Sequence, residues 1–149
     1  MQLTVDERFA YQPAHQPGYQ PASISKARIW TGRILSGLLV LFFIFDVVGK
    51  FAKPAPVVES FVHLGVPISL SEAIGTILLI CTILYAIPRT AILGATLLTG
   101  YLGGAVFTLL RAGEPLFSHV LFPVYFGILV WIALLLREPR IRQFIGIRG

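Results

Sequence analysis

At 149 residues the chain has the length of one domain. Its 56% hydrophobic and 13% charged residues, with a mean hydropathy of +0.80, exclude an ordinary soluble domain, in which about 25% of residues are charged. A net charge of +5 would suit nucleic acid, but the basic residues sit at the ends of apolar runs, where membrane topology puts them, so the expected partner is a lipid bilayer and no nucleic acid. Cys81 is the only cysteine, which rules out an intramolecular disulfide and any CxxC or Cys/His metal pattern, so no metal site is expected.

Residues 1–27 read as a disordered polar tail. YQP occurs at 11–13 and again at 19–21, with Gln, Pro, Ala and Gly between. Such a composition buries too little apolar surface to offset the entropy of ordering. It also lacks an apolar core segment, so no secretory signal peptide is expected.

The first apolar run covers about residues 29–48. Arg33 lies near its start and Asp46 near its end, and residues 34–45 between them carry no charge. An ionisable residue inside a span is costly and usually faces protein or water, which singles out Asp46. Lys50, one helical turn on, is placed to pair with it.

Residues 51–68 connect this run to the next. Pro54 and Pro56 block a regular helix at the start of the connection. Residues 57–64 are amphipathic enough for a short interfacial helix with Glu59 and His63 on one face. A loop turn with two solvated side chains is the simpler reading.

The second run covers about residues 70–87. Ser69 or Ser71 can cap it, and Glu72 in its first turn suits the positive end of the helix dipole. Cys81 falls mid-span, where a small buried apolar role is the ordinary one.

Residues 90–110 form a third run with no charge, bounded by Arg89 and Arg111. As a helix it is about 31 Å long, enough to cross the hydrocarbon core. Thr96, Gly100, Gly104 and Thr108 make one small-residue stripe. Ala91, Ala95, Thr99 and Gly103 make a second. Helices in lipid associate where small residues let backbones approach, so this run is expected at the centre of a bundle, packed through Gly100, Gly104 and Gly103. A stripe left over after packing within the chain would serve assembly, as in a homo-oligomer.

The fourth run covers about residues 116–136, with His119 near its start and Pro123 inside it. Proline removes a helical hydrogen bond, so the spacing predicts either a kink near the outer end or a helix starting at Pro123. The second choice leaves a segment too short to span, which favours the kink.

These runs predict an all-α, integral membrane, four-helix up-down bundle over residues 28–149. An even number of spans puts both termini on one side. That side holds Arg8, Lys26, Arg28, Arg33, Arg89, Arg137, Arg140, Arg142 and Arg148, against Lys50, Lys53 and Arg111 on the other. Nine basic residues against three predict cytoplasmic termini.

In such a bundle one outer layer collects Asp46, Glu72, Arg111, Glu114 and His119. Carboxylates, an arginine and a histidine suit proton transfer or the grip of a polar headgroup. They suit equally a salt-bridge lid tying helix ends together. Glu72, Asp46, Arg111 and His119 are the candidate ligand-binding or proton-relay residues, and no motif specifies a catalytic residue or a reaction.

The segments TGYLGGAVFTLLR, PLFSHVLFPVYFGILVW and LREPR closely resemble the DoxX-like family of small four-helix bacterial membrane proteins. The likeness covers about residues 29–142. It implies a multi-pass protein of the bacterial inner membrane, and Glu72 occupies the place of a glutamate common in that family. The family's third span often reads GAVATH followed by arginine. Leu109 stands where that histidine would be, so its acid–base role is not carried over. The wider group has been tied to quinone-linked oxidation and oxidative stress, often as an accessory subunit. A quinone is therefore the expected ligand, with no intrinsic cofactor and with a redox partner subunit supplying electrons. The alternative is a non-catalytic structural or accessory subunit.

Overall fold

The structure, a computed structural model, describes residues 26–138 and residue 141. The expected polar tail and most of the C-terminal basic segment lie outside the described residues. The elements are α1 (Lys26–Ala52), α2 (Ala55–His63), α3 (Ser71–Ala86), α4 (Ala91–Arg111) and α5 (Phe122–Arg137). Among the described residues four helical segments are long and apolar enough to cross a membrane: Lys26–Ala52, Ile68–Ala86, Ala91–Arg111 and Leu116–Arg137. Their outward faces carry exposed Ile, Leu and Phe side chains, as lipid-facing helices do.

Prolines set most of the element ends. The residue before a proline is driven out of the α region. Lys53, before Pro54, takes φ +49° and ends α1, and Ile87, before Pro88, is extended at φ −79°, ψ 121° and ends α3. At Leu116–Val120 the chain makes a wide π-type turn, and α5 starts at Phe122 with Pro123 in its first turn. Both sequence readings of Pro123 thus hold in part. The α-helix proper starts there, and the π turn before it supplies the length that sixteen residues lack.

The spans form a closed ring. α1 packs on α3 and α5, and α4 packs on the same two helices from the opposite corner. Short links make sequential helices antiparallel neighbours, and α5 closes on α1. The expectation that residues 90–110 lie at the centre is corrected: α4 is one corner of four. A four-helix ring has no central member, because its core is the seam where the inner faces meet. That seam holds Phe43, Leu78, Tyr85, Leu98, Val130 and Leu134, all almost wholly buried, and the free thiol of Cys81 joins it.

The ring is tight at the end where α1 starts and α5 finishes. A Cβ on Gly32 would lie 2.6 Å from the Arg137 amide nitrogen, so α1 and α5 touch there backbone to backbone. A Cβ on Gly94 would fall on the Leu84–Tyr85 backbone, so α3 and α4 touch in the same way. Tyr85 ties the helices together at this level. Its hydroxyl donates to the Val130 carbonyl at 3.1 Å and lies 3.2 Å from Ser36 Oγ. The Arg137 guanidinium stacks over its ring at 4.7 Å and donates to the Tyr85 carbonyl, one of the unpaired acceptors near the end of α3. Thr90 Oγ1 donates to the Leu84 carbonyl at 2.8 Å and fastens the α3–α4 turn.

Candidate functional site

At the other end, which carries α2, the α3–α4 pair opens. Gly100 and Gly104 were expected to bring backbones together, with Gly103 beside them. A Cβ on any of the three would meet nothing within 4 Å. The expectation of packing within the chain is therefore corrected. The tight glycine of α4 is Gly94, seated against α3 near the Pro88 turn. From there the two helices diverge, and Gly100 and Gly104 face a cavity.

The cavity has a volume of about 620 Å³. Its α4 wall is Gly100, Tyr101, Gly104, Ala105, Thr108 and Leu109, and its α3 wall is Ile74 and Ile77. Asp46 and Lys50 reach it from α1, and Val57, Ser60 and Phe61 of α2 roof it together with Leu64 and Val66 just after it. The absence of side chains at Gly100 and Gly104 leaves room for it. The small-residue stripe thus borders a hollow instead of a helix seam.

The polar groups in this hollow are few. Lys50 Nζ donates to both oxygens of Asp46 at 2.6 Å, the one-turn pairing expected from the spacing. The Lys50 side chain is 13% exposed and that of Asp46 is 40% exposed, so the carboxylate is the open member of the pair. Thr108 Oγ1 is turned back to the Gly104 carbonyl at 2.9 Å. The Tyr101 hydroxyl has no hydrogen-bond partner among the described residues.

The remaining site candidates do not share the hollow. Glu72 pairs with Lys53 at 2.7 Å on an exposed surface at the start of α3. Arg111 Nη2 donates to the carbonyls of Leu64 and Gly65 at 3.1 and 3.3 Å. It neutralises the C-terminal end of α2, where a cation is favoured, and takes no carboxylate partner among the described residues. His119 Nδ1 lies 2.9 Å from Ser118 Oγ and 3.8 Å from Glu114 Oε2. Glu114 in turn sits 2.6 Å from His63 Nε2. The single polar layer read from the sequence is four separate groups: Asp46 with Lys50, Glu72 with Lys53, Arg111 on the Leu64 and Gly65 carbonyls, and Glu114 with His63 and His119. Among the described residues no cluster of three or more His, Cys, Asp or Glu is placed to hold a metal ion.

α2 is the element whose existence the sequence left open, and it is a helix. Pro56 in its first turn needs no amide partner there, and Phe61 is its one buried side chain. Ser71, read as a cap for α3, does other work: its hydroxyl donates to the Lys50 carbonyl at 2.7 Å and joins α3 to the end of α1. That contact fixes the backbone carrying Lys50 and hence the ion pair in the cavity.

Two features of the site escaped the sequence reading. Tyr101 is one, although a hydroxyl-bearing aromatic between Gly100 and Gly103 was a visible signal. The other is the roof, since nothing local in residues 57–64 says which surface α2 covers.

The sequence profile of the DoxX-like family matches residues 34–133, which takes in Asp46, Lys50, Tyr101 and the whole of α2, α3 and α4. The chain belongs to the DoxX-like family. No curated protein and no solved structure matches it. This DoxX-like protein is a multi-pass membrane protein with its helices in contact with lipid. Leu109 is on the cavity wall.

Proposed function

We propose that this DoxX-like protein binds a lipophilic quinone or a similarly built amphiphile in the α3–α4 cavity, as part of a membrane redox or oxidative-stress system. The observation that carries the reading is a hollow of about 620 Å³, apolar over most of its wall, with an ion pair and a phenol inside it. Ligand cavities are commonly of about 300–1,000 Å³, mostly apolar, with a few placed polar groups. Reduction of a quinone consumes protons, and Asp46 is the carboxyl group of the cavity wall, so the relay role considered for Glu72 falls to Asp46. Cys81 is the one thiol and is buried in the core, so electrons come from a redox partner subunit. The family resemblance supports a bacterial inner-membrane location, and the distribution of basic residues supports both termini cytoplasmic.

The test is extraction of the protein from native membranes in mild detergent, with mass spectrometry of what stays bound. A quinone carried in stoichiometric amount by the wild type and lost in Asp46→Asn supports the reading. A wild type that carries no quinone and shows no saturable quinone binding after purification removes it.

A second reading, a structural or accessory subunit, has its own observation. Gly103 is exposed, a Cβ there would meet none of the described residues within 4 Å, and it does not line the cavity, as the small face of an assembly site would. Gly103→Leu is expected to break up a larger complex, or a homo-oligomer, on native gels while quinone binding persists. Loss of quinone binding with the complex intact would count against it.

A further inference from the structure

We infer that the cavity takes an amphiphile whose head is uncharged and accepts hydrogen bonds, admitted sideways from the bilayer through the gap between α3 and α4. The inference rests on the binding role proposed above and specifies the ligand's head and its route.

The charge argument comes first. Asp46 and Lys50 are the only charged residues among those lining the cavity, and they neutralise each other at 2.6 Å. A carboxylate or phosphate head would enter with no free cation to meet it, and a quaternary ammonium with no free anion. An unpaired charge in an apolar site is expensive, so the site selects a neutral head.

The free donors call for an acceptor in the head, and the open face of the Asp46 carboxylate also admits a hydroxyl beside it. An ammonium has three N–H donors. Two of those on Lys50 are taken by Asp46, which leaves one. The Tyr101 hydroxyl supplies a second donor with no partner among the described residues. A neutral head with ketone-type oxygens offers both donors an acceptor.

The route follows from where the walls are closed. At the end where α1 starts and α5 finishes the backbones of α3 and α4 touch at Gly94, which bars passage there. Toward water the hollow is roofed by α2, whose Phe61 is buried and whose end is held by Arg111 through the Leu64 and Gly65 carbonyls. His63 and Glu114 add a second tie, 2.6 Å apart. The side between α3 and α4 has no such closure. Gly100 and Gly104 are exposed there, and Ile77 is 53% exposed on the facing helix. A tail can lie in that gap with its far end in lipid, while the head sits under α2.

The experiment uses the full-length protein in phosphatidylcholine nanodiscs. Quinones quench tryptophan through space, so Trp131, which donates to Thr99 Oγ1 at 3.0 Å and stands outside the cavity wall, reports binding once Trp30 is replaced by Phe. The probes are a benzoquinone with one short isoprenoid tail and a fatty acid of matching length. Saturable quenching by the benzoquinone is expected, with the ionised fatty acid at least tenfold weaker as a competitor. Gly104→Leu places a side chain in open space, so it is expected to fold and to weaken binding at least tenfold. Tyr101→Phe, which keeps the shape of the ring, is expected to weaken it several-fold. Equal competition by the fatty acid overturns the neutral head, and full affinity in a folded Gly104→Leu overturns the lateral route. Full affinity in Tyr101→Phe overturns the two-donor seat. In each of those cases binding itself survives. The complete absence of saturable quenching in the wild type overturns the binding role together with this inference.

Discussion

Replacing Gly94 by alanine adds one methyl group to α4, and the structure says where it lands. The new Cβ would lie 2.6 Å from the Leu84 carbonyl carbon and closer still to the Tyr85 backbone, whereas ordinary contact is 3.4–4 Å. Backbone cannot rotate away as a side chain can, so the helices must part by about 1 Å along this contact. Overpacking of this kind typically costs ~1–3 kcal/mol. Because backbone lies on both sides, we expect the upper part of that range. Alanine's better helix propensity returns less than ~1 kcal/mol. Separation would also strain the Thr90–Leu84 hydrogen bond and the Tyr85 cluster just below it. The control is Gly104→Ala on the same helix, where a Cβ meets nothing within 4 Å and only the propensity term remains. Thermal unfolding of both proteins in the same mild detergent, followed by circular dichroism, should show Gly94→Ala melting several degrees lower and Gly104→Ala unchanged or higher. Wild-type melting for Gly94→Ala would refute the backbone contact. Equal losses in the two variants would refute the picture of α3 and α4 diverging from a tight end, since it would mean that Gly104 is packed.

Tyr85→Phe removes the hydroxyl shared by Ser36 and the Val130 carbonyl, and should lower unfolding free energy by about 1–2 kcal/mol in a denaturant titration. Glu72→Gln breaks only an exposed pair with Lys53, so both the unfolding temperature and growth under quinone or peroxide stress should match wild type. A loss of growth at unchanged stability would return Glu72 to the site. Asp46→Asn should leave the helical content intact and abolish quinone retention, read by mass spectrometry of the purified protein. Membrane-impermeant thiol labelling should reach Ala55→Cys in intact cells but Val5→Cys or Gly146→Cys only after permeabilisation. The opposite pattern would reverse the proposed orientation.

The resemblance in residues 99–131 and the four charge-free runs were enough to fix the family, the helical class and the number of spans. Apolar length and terminal charge are local properties, and in lipid they leave the backbone little choice but a helix. The Asp46–Lys50 pair was legible for the same reason, since four residues on a helix is one turn. Which small residues pack was not a local property. Gly94, Gly100 and Gly104 are chemically identical and lie on the same helix, yet one is jammed against backbone and two border a hollow. The difference is what each one meets: Gly94 meets the Leu84–Tyr85 backbone near the Pro88 turn, whereas Gly100 and Gly104 border the hollow that α2 also lines. Likewise, the sequence placed Glu72, Arg111 and His119 in one layer with Asp46 by depth alone. Depth along the bundle is countable from residue number, but rotation about each helix axis and the path of α2 are not. Those were decided when the four inner faces packed together, and they leave Asp46 as the one of these four candidates in the cavity wall.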